Sequence, residues 1–154
     1  MGLVFGPSKS HSSYVDWPAT ALGATVCGGR LYCKSGTGIA WIVAPAATQV
    51  AATWNSTTNT LVGDKPCVSD WPSLSTALTN AGLTPSQWFV PSVSQLSSGF
   101  NCRTYWDSWT VGSYWSSTEF SNICAFRVFF YFGGVICNIK TNAYQVRAIR
   151  CVTY

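Results

Sequence analysis

The C-terminal part of the chain is dominated by short β-prone runs. Val, Ile, Tyr, Phe and Trp cluster or alternate with polar residues, and Gly, Ser and Asn separate the runs, which cover residues 114–117, 125–132, 135–140 and 143–152. Runs of this kind, bounded by turn residues, predict strands. The pair Gly133-Gly134 predicts a two-residue hairpin turn, because such turns need positive φ at both central positions.

The first half of the chain mixes strand and helix signals. Short β-prone pieces occupy residues 25–27, 31–33 and 39–43. Residues 46–54 follow Pro45 and predict a first helix, since proline suits the start of a helix. The sequence around Asp70 predicts a second one.

Asp70 is a suitable N-cap for this second helix, and Pro72 falls in its first turn. The run Trp88–Pro91 predicts a buried strand end, and Ser92–Leu96 a short helical turn. Helices early and an antiparallel sheet late predict an α+β fold.

The length and composition indicate one domain with an unusual surface. A chain of 154 residues suits a single core, and the Gly-, Ser- and Pro-rich residues 1–24 predict an attachment arm before a domain at 25–154. Only 9% of residues are charged, while 47% are hydrophobic and 15% aromatic. The surface must therefore rely on Ser, Thr, Asn and Gly for solubility, or be covered in an assembly.

Several partners are disfavoured by the charge and hydropathy patterns. The nine Lys and Arg residues are spread singly, whereas nucleic-acid binding favours a basic cluster. No apolar run reaches the roughly 18 residues of a transmembrane helix, and the start lacks a secretory-signal pattern. We expect no nucleic-acid partner and no membrane insertion.

The cysteine pattern does not predict a metal site. Seven cysteines include no C-x2-C pair, and His11 is the only histidine, so we expect no zinc. Cys27 with Cys33 and Cys67 with Cys151 are candidate disulfides, but spacing does not fix the connectivity. Calcium needs six to eight oxygen ligands, and the five carboxylates are scattered, so we predict no cofactor.

Three stretches resemble motifs of a known family. They are Gln87–Leu96 (QWFVPSVSQL), Tyr114–Phe120 (YWSSTEF) and Lys140–Arg150 (KTNAYQVRAIR). In this order and spacing they resemble the Lcl-type C-terminal domains, C-type-lectin-like modules of bacterial adhesins and phage virion proteins. The resemblance covers roughly residues 40–154. It implies two helices flanking a small twisted antiparallel sheet, long ligand-contacting loops, frequent trimers and no enzymatic activity.

The residues of this region divide into predicted structural residues and a stretch predicted to be displayed for binding. Glu119 is the only Glu, and we expect it to fix a loop by pairing with Arg147 or Arg150. Trp88 and Trp115 are the other predicted structural residues. The stretch from Phe120 to Ile139 is the predicted displayed part.

The displayed part departs from its relatives, which are rich in Asn after the Glu. Val128 and Phe130, with Phe126 beside them, are at the alternate positions predicted to face the core. Arg127, Phe129 and Tyr131 are on the opposite face of the strand. A strand with one face in water should alternate apolar and polar residues, but this strand is apolar on both faces. The second face must therefore be covered by a subunit, a ligand or residues 1–24. The predicted binding residues are Phe120, Ile123, Arg127, Phe129, Tyr131, Ile136 and Ile139.

The family Asn positions have become Phe129, Ile136, Cys137 and Ile139. This substitution pattern resembles the variable domains of the major-tropism-determinant type, in which adenine-directed mutagenesis rewrites Asn codons. We therefore hypothesise that residues 120–139 are diversified by a retroelement.

The resemblance implies a phage virion surface or tail-associated adhesin that recognises a host glycan or protein. We expect an arm bound to other virion proteins, a homo-oligomer with a trimer favoured, and location in the virion after synthesis in the host cytoplasm and release by lysis. The alternative is a decoration or fibre-tip protein whose apolar face is a subunit interface. A third class, enzymes like the formylglycine-generating enzymes, is disfavoured because no His/Cys cluster or general base stands out, so no catalytic residue is predicted.

Overall fold

The computed structural model describes residues 15–154. These residues form two α-helices and nine strands, arranged in two sheets. The predicted α+β class with two helices is therefore confirmed, although the strands form two sheets where one was expected.

The first sheet joins the beginning and the end of the described chain. Its order is β1-β2-β3-β9, with all neighbours antiparallel. The strands are β1 Thr25–Val26, β2 Gly29–Ser35, β3 Ile39–Val43 and β9 Ile149–Thr153. The three early β-prone pieces are thus confirmed as strands.

The second sheet carries the predicted displayed part. Its order is β4-β8-β5-β6-β7, in which only the β5–β8 pair is parallel. The strands are β4 Val50–Thr53, β5 Ser113–Glu119, β6 Cys124–Phe129, β7 Gly134–Ile139 and β8 Ala143–Val146. Strand β7 lies at the edge of this sheet.

Both helices begin at sequence signals for an N-terminus. Helix α1, Pro72–Asn80, has Pro72 at its first position, but its N-cap is Trp71 and not the expected Asp70. Helix α2, Val93–Asn101, extends well past the predicted short turn. Ser92 accepts from the Gln95 N–H at 3.3 Å and donates its own N–H to the Gln95 side chain at 2.8 Å, which is a capping box.

The predicted helix over residues 46–54 is wrong. Only a 3-10 turn forms at Ala46–Thr48, and β4 comes directly after it. Val50 pairs with Val146 and Thr53 with Ala143. Pairing with this distant strand overrides a helix propensity that is only a weak local preference.

The predicted strand over residues 143–152 is two strands in different sheets. The chain leaves β8 at Val146 and enters β9 at Ile149. Between them Arg147 is buried, and the Ala148 carbonyl accepts the Ala44 N–H at 2.9 Å.

The predicted two-residue hairpin turn is also wrong. Phe129 pairs with Gly134, so residues 130–133 form a four-residue turn. Of the two glycines only Gly133 has positive φ, +80°. Phe130 is fully buried within this turn, which anchors it to the core.

The core consists of two clusters. The larger contains Trp54, Trp71, Trp88 and Trp115 with aliphatic residues of both sheets and α1. The smaller contains Tyr114, Val128, Phe130, Trp106 and Leu96. Within residues 15–154, no helix combines the length and apolarity that crossing a bilayer requires.

Only part of the predicted N-terminal arm lies in the described residues, since residues 1–14 and His11 with them fall outside. Residues 15–24 contact their own domain. Trp17 stacks on Tyr154 with ring centroids 5.7 Å apart, and the Lys34 ammonium donates to the Thr20 carbonyl at 2.8 Å. The attachment role of the arm remains a prediction.

Candidate functional site

The loop-fixing carboxylate has a different partner from the predicted one. Glu119, at the end of β5, forms an ion pair with Lys140 and not with Arg147 or Arg150. It also accepts the backbone N–H groups of Val62 at 2.9 Å and Gly63 at 2.8 Å. Glu119 thus holds the backbone of Val62 and Gly63 beside the end of β5, and its cation is Lys140, the residue after β7, in place of the expected arginine.

Lys140 is fully buried, so its charge depends on these contacts. Its ammonium donates to the Thr60 carbonyl at 2.9 Å and lies 5.1 Å from the Trp54 ring centroid. Desolvation alone would raise the pKa of Glu119, but hydrogen bonds from Lys140, Val62 and Gly63 lower that pKa below its usual range. The carboxylate is thus held ionised as a structural group.

A second ion pair joins the buried Arg147 to Asp107, whose side chain is 23% exposed. The Arg147 guanidinium donates to the carbonyls of Ala44 and Ser108 as well as to this carboxylate. Burial works to raise the pKa of Asp107, but the Ala46 N–H and Arg147 lower it overall. The predicted structural role of Arg147 fits these contacts.

The other predicted framework residues are also in structural positions. Trp115 is 1% exposed and its indole N–H donates to the Ala52 carbonyl at 3.1 Å. Trp88 is buried, and the Arg150 guanidinium lies 5.6 Å from its ring centroid. Arg150 also donates to the Cys27 carbonyl at 3.2 Å.

Three aromatic side chains cluster at the turn between β6 and β7. Together with Arg127 of β6 and Ile136 of β7 they are here called the hairpin patch: Arg127, Phe129, Tyr131, Phe132 and Ile136. The centroid of the Phe129 ring is 5.1 Å from that of Phe132 and 6.2 Å from that of Tyr131. Tyr131 is 66% exposed, Phe132 64% and Ile136 44%. The rings contact one another while two of them remain mostly in solvent.

Arg127 and Ile136 place the patch on one face of the sheet, because they are directly paired across β6 and β7. The Arg127 guanidinium lies 4.9 Å from the Tyr144 ring centroid and donates to the Ser113 hydroxyl. These contacts hold the arginine against the sheet beside the exposed rings.

The two glycines of the turn make room for the rings. A side chain at Gly133 would lie 2.5 Å from the Phe100 ring, and its φ of +80° is unfavourable for other residues. A Cβ at Gly134 would collide with the Phe132 ring, which lies over this glycine. A side chain is thus disfavoured at each of the two positions for a separate steric reason.

The structure divides the predicted binding residues between two faces of the sheet. Ile139 pairs with Cys124 and lies on the face opposite Ile136, since side chains alternate along a strand. Phe120 packs on Phe126, at 5.0 Å between ring centroids, also on that opposite face. Ile123, 40% exposed, is in the turn before β6. The predicted binding residues therefore do not share one face of the sheet.

One patch residue was missed in the sequence. Phe132 belongs to the exposed cluster, but the predicted strand over residues 125–132 and its inward period hid its position in the turn. The signal that pointed to it was the unbroken aromatic run Phe129–Phe132 itself.

All seven cysteines are unpaired, so neither candidate disulfide is formed. Burial, with Cys33 as the next neighbour, raises the pKa of the Cys102 thiol. In the part of the chain that the structure describes, no three His, Cys, Asp or Glu side chains come together as a metal site would need.

The sequence matches no protein-family model, and no curated protein was found similar to it.

Proposed function

We propose that this protein is a binding protein whose hairpin patch recognises a surface ligand, a glycan or protein of a host cell. The observation that carries the proposal is the aromatic cluster at the turn, in which Tyr131 and Phe132 are about two-thirds exposed. Exposed apolar clusters of this kind mark interaction sites, because water contact with them is unfavourable. Binding energy concentrates on aromatic and Arg side chains, and the patch contains both.

The construction of the patch favours recognition over accidental exposure. Phe130 anchors the turn, with its ring centroid 4.4 Å from that of the buried Tyr114 and 5.4 Å from that of Phe100. The turn that carries the exposed rings is therefore anchored, and a ligand would not have to order its backbone. Preorganisation of this kind increases affinity.

The finer assignment rests on the sequence motifs. We propose a C-type-lectin-like domain displayed by a phage virion, at its surface or tail, with residues 1–24 as the attachment arm. The motifs QWFVPSVSQL, YWSSTEF and KTNAYQVRAIR support it. The two helices and the fixed loop around Glu119 are compatible with it. We propose no catalytic role.

The binding test compares two aromatic sites on opposite faces. The double variant Tyr131→Ser with Phe132→Ser should lose binding to bacterial cells and to a glycan array that the unaltered protein recognises. The matched control is Phe120→Ser, which removes another exposed aromatic, 57% in solvent, on the other face. Equal binding by the double variant and the unaltered protein would contradict the proposal.

A structural virion role is the second candidate, and the edge strand favours it. Strand β7 presents Val135, Ile136 and Ile139, each between 44% and 48% exposed, along a sheet edge that pairs with no other strand of residues 15–154. Long apolar edges are sites of association between chains. In this case the full chain forms a stable oligomer, a trimer by the family resemblance.

Analytical ultracentrifugation distinguishes this candidate. Ile136→Lys at the edge should dissociate an oligomer built on β7, while Tyr131→Ser should not. A monomer at micromolar concentration that still binds cells would reject the structural role.

Diversification of residues 120–139 is a further part of the proposal. The altered family Asn positions Phe129 and Ile136 belong to the patch, whereas Cys137 and Ile139 lie on the other face. Sequencing the locus tests the idea, and absence of both a near-identical template repeat and a reverse transcriptase gene would reject it.

A further inference from the structure

Two of the seven cysteines come together where the end of helix α2 meets the first sheet. Cys33 lies within β2, and Cys102 is the C-cap of α2. Both pack against the smaller core cluster, which contains Trp106 and Leu96. The Cys33 and Cys102 side chains are in hydrogen-bonding contact there. Two thiols that are far apart in the chain are therefore neighbours in the fold.

The direction of the Cys33 side chain follows from an irregularity in its strand. The pairing of β2 with β3 shifts between Leu31 and Cys33, so that Tyr32 is an extra residue on this strand. A bulge of this kind re-aims the side chains around it. Leu31 accordingly belongs to the larger core cluster, whereas Tyr32 and Cys33 both lie against the smaller one, which includes Leu96 of α2.

Both cysteines are partly accessible to small reagents. Each is half-buried, and Cys33 lines a cleft of about 220 Å³ that is also lined by the exposed Ser94 and Ser98 of α2. Burial, with the neighbouring Cys33 as the next cause, raises the pKa of the Cys102 thiol. In neutral solution this thiol is therefore mostly protonated, and it reacts slowly unless an oxidant is supplied.

Cys151 is a third cysteine in the same sheet, but it is too far from Cys33 for a bond. Cys33 and Cys151 face the same way, because both pair with Trp41, one on each side. Two strand spacings, roughly 9–10 Å, therefore separate them. A disulfide spans no more than about 7 Å between Cα atoms. The contact with Cys102 is thus the one that suits a bond from Cys33.

We propose that Cys33 and Cys102 form a disulfide when the protein meets a small oxidising disulfide such as oxidised glutathione. The thiolate of one cysteine attacks a sulfur of oxidised glutathione, and one glutathione thiolate leaves. The thiolate of the other cysteine then attacks the protein-bound sulfur and displaces the second glutathione. The protein gives up two protons and two electrons, and oxidised glutathione takes them up to become two reduced glutathiones. This site does not depend on the proposed function.

The bond would tie the end of α2 to the first sheet. Phe100, two residues before Cys102, packs on Phe130 with ring centroids 5.4 Å apart, and Phe130 anchors the turn of the hairpin patch. The cross-link would therefore brace the support of that turn. It closes a loop of about 70 residues, and a cross-link of this kind restricts the unfolded chain. We expect the melting temperature to rise by about 5–15 °C.

The test incubates the reduced full chain with oxidised glutathione at about pH 8.5, near the ordinary thiol pKa. Free thiols are then alkylated, and a tryptic digest is mapped by mass spectrometry without reduction. Trypsin cuts after Arg30 and Lys34, so Cys33 is the only cysteine of its short peptide. The variant Cys67→Ser leaves Cys102 as the only cysteine of the peptide that ends at Arg103. These two peptides should be found linked.

Thermal melts provide the second measurement. Oxidation should raise the melting temperature of the unaltered protein and of Cys67→Ser, which removes an exposed cysteine, and a reductant should reverse the rise. Cys33→Ser and Cys102→Ser should each lose the rise. Three results would overturn the proposal: no link between the two peptides, Cys33 linked to Cys151 or to a second chain, or an equal rise in Cys33→Ser. The peptide map does not need the Cys33 and Cys102 variants, so it decides the proposal even when they do not fold.

Discussion

The two ends of the second sheet use opposite arrangements of polar and apolar groups. At the end around Glu119, a fully buried ammonium and a nearly buried carboxylate are paired and hydrogen bonded. At the hairpin patch, Tyr131 and Phe132 stand mostly in solvent. A charge inside and apolar rings outside both cost free energy, but among residues 15–154 only the buried charge has its partners. The difference teaches that the Glu119 end serves stability and that the patch is suited to a partner.

The largest expected effect on stability is at the Glu119 end of the second sheet. Glu119→Ala leaves Lys140 as a buried charge without its carboxylate, and should lower the free energy of unfolding by about 3–5 kcal/mol. Denaturant unfolding measures it. The double variant with Lys140→Met should recover part of the loss, and full additivity of the two changes would contradict the pairing.

Acid should produce the next effect, at the Glu119 end and at the separate ion pair between Asp107 and Arg147. The folded-state pKa values of Glu119 and Asp107 are lowered, so their contribution is present above the ordinary carboxyl values of 4.5 and 3.8 and is lost as pH falls through the folded pKa values. Thermal melts from pH 6 to 2 measure it. Glu119→Gln should reduce this dependence, and an unchanged pH profile in that variant would contradict the assignment.

A smaller effect is expected at the base of the patch. Gly133→Ala forces a side chain into a positive φ and toward Phe100, and should cost about 1–3 kcal/mol of unfolding free energy. Gly134→Ala is the matched control, since its φ is not positive and only the exposed Phe132 ring must give way. Equal melting temperatures for the two variants would weaken the steric account of this turn.

The smallest effect on stability should come from the exposed rings. Tyr131→Ser should change the unfolding free energy by no more than about 0.5 kcal/mol, because Tyr131 is mostly in solvent already. Its effect on cell binding should nevertheless be large. A strong loss of stability would show that the ring belongs to the framework and would erase the contrast between the two ends.

Local patterns of apolar and turn residues in the sequence predicted much of the fold. Predicted runs correspond to β5, β6 and β7 within a few residues, and helix α1 begins at Pro72, one residue after the start that an Asp70 cap predicted. Residues 46–54 failed because Ala-rich sequence favours a helix only weakly, and pairing with β8 decided the outcome.

The candidate site was predictable as a segment but not as a surface. The aromatic run Phe129–Phe132 was evident from composition, yet its residues divide into a buried anchor, Phe130, and exposed rings. The four-residue turn sets that division, because Phe129 pairs with Gly134 and residues 130–133 form the turn. Phe130, Tyr131 and Phe132 therefore leave the predicted strand and no longer follow its alternation of faces.

The sequence by itself determined the α+β class and the runs that form β1 to β3 and β5 to β7, and it marked Glu119 as a candidate loop-fixing carboxylate. Tertiary structure decided which cation pairs with Glu119, which of the apolar residues between 120 and 139 share a face, and that Cys33 meets Cys102 at the end of α2. The physical reason is distance along the chain. Periodicity and turn chemistry act over a few residues, whereas the Glu119 carboxylate meets the Val62 N–H and the Lys140 ammonium only after the sheet has brought them together.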